Sequence, residues 1–207
     1  MKKVIIVHGW GFTPEDNWYP WLKGELIERG FDVVVPEMSE TLVPHITVWV
    51  DNLREAVENS SEDMILIGHS IGCQTIIRYL AETDRLNHFD KNGRPISKAD
   101  LGKVILVAGW FQLDRGVIDE EIKKYGQIVR EVADEWEQTP IDFEKAKSNC
   151  ADISVLLSSN EPYGCVSENK KVFEEKLGAT VTVLENSGHF TTDDGITEIP
   201  EILEYIK

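Results

Sequence analysis

A serine flanked by glycines two positions away on either side, Gly68-His69-Ser70-Ile71-Gly72, joins two stretches of opposite periodicity. Met64 to Ile67 is a continuous apolar run of the kind that forms a buried strand, and from Cys73 to Leu80 the apolar residues Ile76, Ile77 and Leu80 fall at helical spacing. Gly-x-Ser-x-Gly between a strand and a helix is the setting of a nucleophile elbow. The chain reverses there so tightly that the serine backbone is strained, and a side chain at either glycine would strike the neighbouring strand or helix. Such a serine stands at the carboxyl edge of a sheet with a helix N-terminus behind it. An ordinary serine in a strand–helix turn is the alternative reading, and the bare pattern is short enough to arise by chance. The strand before it and the helix after it carry the weight.

The same alternation runs along the chain. Strand-like runs at Val4–Val7, Phe31–Val35, Met64–Ile67, Val104–Val107, Ile153–Leu157 and Thr180–Leu184 are separated by helical patterns around Trp21–Arg29, Thr47–Val57, Cys73–Glu82, Phe143–Ser148, Glu168–Lys176 and Glu198–Ile206. Most of the strands are continuous rather than alternating, as expected when both faces of a parallel sheet are covered. Two insertions interrupt the rhythm. Thr83 to Gly102 is polar, contains Asn92-Gly93 and Pro95, and reads as a surface excursion. Gly109 to Pro140 carries Ile118, Ile122, Tyr125, Val129, Val132 and Trp136 at spacings of three and four, one apolar stripe on one helix. That helix either packs on the core or, because it leaves the carboxyl end of a central strand, covers an active site.

With 207 residues and no repeat or linker, the chain reads as a single domain, 1–207, with a cap-like insertion at about 109–140. Met1-Lys2-Lys3 imitates the start of a signal peptide, but the apolar run that follows is broken by His8-Gly9, so it is read as the first strand. Cys73, Cys150 and Cys165 are widely spaced with no Cys-x-x-Cys pair, a usage that suits a reducing cytoplasm and gives no metal site; neither a metal nor another cofactor is expected. A net charge of −16 repels nucleic acid and anionic membranes, so neither is expected as a partner; the partner that the chemistry below implies is a small-molecule acyl substrate.

In a doubly wound sheet of order 2-1-3-4-5-6 the winding reverses between the first and third strands, and ligands bind at that point. The His8-Gly9-Trp10-Gly11 turn and the Ser70 elbow would therefore meet. Backbone N–H groups of Ile71, at a helix start, and of Trp10 are the expected donors to a developing oxyanion, each worth about 3–4 kcal/mol of barrier. His8 is read as a brace for its own loop. His189, in Asn186-Ser187-Gly188-His189-Phe190 directly after the last strand, is the candidate base; His45, His69 and His88 lie in other settings. The acid that orients it should follow a strand and lie between serine and histidine in the chain. Glu161, in Ser158-Ser159-Asn160-Glu161-Pro162-Tyr163, fits best. Asp114 is the rival, and Asp193 and Asp194 come after the histidine, in the wrong order. Trp10, Trp18, Trp21 and Trp49 either line an apolar pocket or pack the core.

With these residues placed, the sequence resembles the small serine hydrolases related to retinoblastoma-binding protein 9, in the α/β-hydrolase superfamily. The resemblance rests on His8-Gly9 with Trp18-Tyr19-Pro20-Trp21-Leu22-Lys23, on the elbow, on Phe143-Glu144-Lys145-Ala146-Lys147-Ser148-Asn149-Cys150, and on Gly188-His189-Phe190. It implies a three-layer α/β-hydrolase-like sandwich of about six strands in the order 2-1-3-4-5-6, lightly covered, with Ser70 and His189 catalytic. The chain departs from that family by carrying Glu161 where an aspartate is usual and by a longer Gly109–Pro140 segment. It also contains no Leu-x-Cys-x-Glu peptide, so binding to retinoblastoma protein is not expected. The function expected is hydrolysis of a small ester, thioester or amide through an acyl-enzyme; the alternative is a protein-binding module on a hydrolase scaffold with little turnover.

Overall fold

Strands without polar alternation need apolar cover on both sides, and the chain supplies it. The computed structural model describes residues 2–58, 64–82, 101–150 and 152–206. Its strands β1 (Lys3–Val7), β2 (Asp32–Val34), β3 (Met64–His69), β4 (Leu101–Val107), β5 (Ile153–Ser158) and β6 (Thr180–Leu184) form one parallel sheet in the order β2-β1-β3-β4-β5-β6. This is the α/β-hydrolase arrangement. Helices α1 (Tyr19–Glu28), α2 (Ile46–Glu58), α3 (Ile71–Glu82), α4 (Arg115–Tyr125), α5 (Ile128–Gln138), α6 (Phe143–Asn149), α7 (Val166–Leu177) and α8 (Pro200–Tyr205) complete the described elements with one 3₁₀ turn, Thr192–Asp194.

Because successive side chains of a strand point to opposite faces, each central strand feeds two cores. Ile5, Val7, Leu66, Val104 and Leu106 pack with Trp49 of α2, Ile76 of α3, Trp136 of α5 and Phe173 of α7. Val4, Ile6, Ile65, Ile67, Ile105 and Val107 pack with Trp18 before α1, Leu22 and Leu26 within it, and Ile202 of α8. The tryptophans thus divide between opposite faces. Trp18 and Trp49 are core, and Trp10 and Trp21 are half-buried.

Two expectations are corrected. The stripe from Ile118 to Trp136 is two helices: Gly126, at φ 91° and ψ 179°, has an extended, left-sided backbone that no α-helix contains, so α4 ends and α5 starts afresh. Val129, Val132 and Trp136 of α5 are buried, whereas Tyr125 at the end of α4 is 68% exposed. Leu101 and Gly102 belong to β4 rather than to the polar excursion before it; the remainder of that excursion, including His88, lies outside the described residues. Among the described residues no helix is long and apolar enough to cross a bilayer, no group of side chains is placed to hold a metal ion, and Cys73 and Cys165 take part in no disulfide.

Helix α3 lies close against the end of β1 at Gly72, where an added Cβ would meet the carbonyl oxygen of Val7 and come within 2.7 Å of that of His8. Both obstacles are backbone and cannot rotate away. Gly72→Ala is therefore expected to lower unfolding free energy by about 3 kcal/mol or to prevent folding; urea denaturation with an unchanged midpoint would contradict this contact.

Candidate active site

Strand β3 ends at His69 and helix α3 begins at Ile71, which leaves Ser70 alone to make the reversal. It does so at φ 54°, in the left-handed region that a serine enters only when its surroundings compel it. Its N–H donates to the Val107 carbonyl at 2.9 Å, and its own carbonyl accepts from Cys73 N–H at 3.0 Å. A Cβ on Gly68 would stand 2.8 Å from the Cys73 nitrogen, so glycine is required on both sides of the turn.

The turn after β1 lies directly against the serine, since a Cβ on Gly9 would be 3.3 Å from that of Ser70. Several backbone donors of these two turns are already committed. Gly9 N–H donates to the Tyr19 hydroxyl at 3.2 Å, Gly11 N–H to the Thr41 carbonyl and Phe12 N–H to the Gly9 carbonyl. The N–H groups of Trp10 and Ile71 meet no acceptor among the described residues. His8 braces the turn: its Nε2 accepts from Met38 N–H at 3.2 Å, so Nδ1 carries the proton and donates to the Gly9 carbonyl at 3.0 Å. The Trp10 indole donates to the Leu42 carbonyl.

His189 Nδ1 donates to Glu161 Oε1 at 2.8 Å, and both side chains are nearly buried. Each residue leaves the carboxyl end of a strand, Glu161 after β5 and His189 after β6, and polar groups hold the two loops together. Asn160 Oδ1 accepts from Gly188 N–H at 2.8 Å, and Ser158 Oγ accepts from Ser187 N–H at 2.9 Å. The Tyr163 ring stands edge-on to His189 with centroids 4.9 Å apart. Burial, with Glu121, Glu161 and Tyr125 nearby, raises the Tyr163 phenol to about 12.

Asp114, the rival acid, does other work. It is the N-cap of α4, and its Oδ1 accepts from Gly116 and Val117 N–H. Asp194 carries a role that the chain-order argument did not reach. Its Oδ2 accepts from His189 N–H at 2.8 Å and from the Thr191 N–H and hydroxyl, so it holds the histidine's main chain. The capping-box spacing Thr191-x-x-Asp194 was the available signal.

His69 is fully buried between the two halves of the site. Its Nε2 lies 2.8 Å from the His189 carbonyl oxygen and its Nδ1 lies 2.6 Å from the Tyr19 hydroxyl. Burial, together with the neighbouring His189 and His8 rings, lowers its pKa to about 3. A void of about 10 Å³, no larger than one water, lies beside Glu161 and His189, and an open cleft of about 810 Å³ reaches towards the site only through Phe12. The cleft runs from Phe12 along Met38 to Val43, with Glu37 and Glu40 on its rim.

The family described as serine hydrolase matches residues 4–207. YdeN of Bacillus subtilis (strain 168) is 24% identical over 205 residues, covering 99% of this chain and 94% of that protein. Serine hydrolase RBBP9 of Rattus norvegicus is 26% identical over 208 residues, with the same coverage of both chains. The crystal structure of the ydeN gene product superposes on all of this chain and 97% of its own with a TM-score of 0.79, a likeness of fold.

The depressed His69 pKa has a consequence for stability. An unfolded chain takes up a proton there near pH 6.5, whereas the folded protein does not until about pH 3. The neutral, buried ring therefore contributes fully above pH 6.5, and acid favours unfolding between those values, by up to about 1.4 kcal/mol per pH unit. Denaturation across pH 4–7 should show this loss, with a shallower slope in His69→Gln; parallel slopes would assign the loss to other groups.

Proposed function

The chain belongs to the serine hydrolase family, and we propose that it cleaves small esters, thioesters or amides through an acyl-enzyme formed on Ser70. The observation that carries this reading is the 2.8 Å bond from His189 Nδ1 to Glu161 Oε1 in a chain whose serine is held at φ 54° on an elbow. An ionised carboxylate can only accept, so the bond keeps the proton on Nδ1 and leaves Nε2 as the base. Ser70 Oγ adds to the substrate carbonyl carbon as its proton passes to His189 Nε2. The resulting oxyanion takes hydrogen bonds from Trp10 and Ile71 N–H, neither of which meets an acceptor among the described residues. Collapse of the intermediate expels the leaving group, which receives the proton from His189. Water then attacks the acyl-enzyme by the same route and releases the acid. Glu161 stabilises the imidazolium at each stage; its extra methylene relative to aspartate is accommodated by the loop after β5.

Substrate recognition is assigned to the cleft beside Phe12, whose ring shares the space over Gly9 with Ser70. Its apolar floor of Phe12, Met38 and Val43 suits an acyl chain, and the Glu37 and Glu40 carboxylates on its rim disfavour an anionic one. Helix α4 would limit access on the other side, because Glu121 and Tyr125 lie near Tyr163, the ring against His189.

A fluorophosphonate probe should label the wild type and leave Ser70→Ala unlabelled; equal labelling would remove the nucleophile from this site. Glu161→Gln should lose roughly 10⁴-fold in turnover. Asp114→Asn, which keeps an oxygen for the α4 cap, should remain near normal. The opposite pair of results would transfer the acid role to Asp114.

Against p-nitrophenyl esters of increasing chain length, Phe12→Ala should shift the preferred length, and an ester with a terminal carboxylate should be a poor substrate. An unchanged length profile in that variant would place acyl recognition elsewhere.

A further inference from the structure

Resting on the hydrolase reading above, we propose that Tyr19 and His69 are positioning residues, linked in a one-way chain of hydrogen bonds that holds the oxyanion turn and the catalytic histidine's main chain in register across the elbow. The direction of every bond follows from chemistry. The His189 carbonyl can only accept, so His69 Nε2 bears the proton and donates at 2.8 Å. With the ring held neutral by its burial, Nδ1 is a lone pair, and the Tyr19 hydroxyl donates to it at 2.6 Å. The Tyr19 oxygen then has a lone pair free for Gly9 N–H at 3.2 Å.

Three segments distant in the chain are thereby joined through buried atoms: the turn after β1, the entrance to the elbow and the loop after β6. Burying two polar side chains is costly unless both ends are paired, and apolar residues of the same volume would fill this space without that risk. Packing alone does not account for them. What the polar atoms add is direction. Tyr19 commits Gly9 N–H, which orients the peptide that follows and leaves Trp10 N–H, with no acceptor among the described residues, for the oxyanion. His69 commits the carbonyl of His189, whose N–H is already held by Asp194. Phe12, stacked on His69 with centroids 5.8 Å apart, and Trp18, edge-on at 5.6 Å, keep the ring from turning. A second tie runs beside the first, where Asn17 Oδ1 accepts from Thr192 N–H at 3.0 Å.

The test compares wild type, Tyr19→Phe, His69→Leu and His69→Gln at 25 °C, well below each melting midpoint, with a short p-nitrophenyl ester and with the fluorophosphonate probe. Tyr19→Phe keeps the ring and removes one oxygen. It should lower kcat and the labelling rate by about 10- to 100-fold while KM moves less than about threefold, the pattern of lost transition-state geometry. His69→Leu should lose at least as much. His69→Gln, whose amide can still donate to the His189 carbonyl, should recover part of it. A merely structural pair would lower the melting midpoint in every variant and leave kcat at wild-type level, which would overturn the proposal. Independently of turnover, ¹⁵N spectra of histidine-labelled wild type should show His69 as a neutral Nε2–H tautomer at pH 5. An Nδ1–H tautomer, or titration near pH 6.5, would equally overturn it. An active wild type whose Tyr19→Phe variant turns over normally sinks the relay alone. A wild type inert to every ester and to the probe sinks the hydrolase reading, and the relay's purpose with it.

Discussion

The approach of helix α3 to the end of strand β1 at Gly72 governs the rest of this structure. Because no Cβ stands between them, the first turn of α3 lies on the Val7 and His8 carbonyls, and the reversal between β3 and α3 must be made by one residue. That residue is Ser70, and its left-handed backbone is the consequence. The strain is held in place by the sheet, through the bond from Ser70 N–H to Val107, and by packing on both faces. The same closeness brings the turn after β1 against the serine, so a single steric fact places the strained residue and its neighbouring amides together.

Around this rigid centre the loops at the carboxyl edge are tied by polar groups as well as by apolar packing such as that of Phe190. Asn160, Ser158 and Asp194 satisfy the backbone N–H groups of Ser187, Gly188 and His189. Loops carry backbone donors that strands would pair in a ladder, and at a sheet edge those donors need side-chain partners or water. Using side chains makes the loop geometry specific, since each acceptor sits at one place. The site's imidazole is therefore set by its main chain as well as by the carboxylate it meets.

The long segment between β4 and α6 is anchored by Arg78 of α3. Its guanidinium donates to the Trp136, Thr139 and Pro140 carbonyls, where α5 ends and its last carbonyls lack helical partners, and burial lowers its pKa to about 10. Trp136 lies across Trp49 and donates to the Pro44 carbonyl. Helix α5 is thus part of the core, while α4, whose Asp114 cap is bonded through its N–H to Tyr163, faces the loop that carries Glu161.

Much of this was legible in the chain because it is local. Apolar runs bounded by glycine, the spacing of Ile76, Ile77 and Leu80, and Gly68-x-Ser70-x-Gly72 each express steric needs met within a few residues, and handedness limits the orders that the parallel strands can take. Ser70, Glu161 and His189 could be proposed together because each follows a strand in the chain order such sites use, and the structure joins the last two by a bond of 2.8 Å. Other features depend on residues far apart in sequence. The break at Gly126 was hidden because both halves of the stripe keep the same spacing, and only a backbone angle separates them. Asp114 and Glu161 both follow strands, and what distinguishes them is which oxygen finds a helix N-terminus and which an imidazole. In sequence His69 is only a residue inside the elbow motif. Its protonated nitrogen, its neutrality and its two partners, 50 and 120 residues away, arise only when the folded chain removes water from around it and closes every bond it makes.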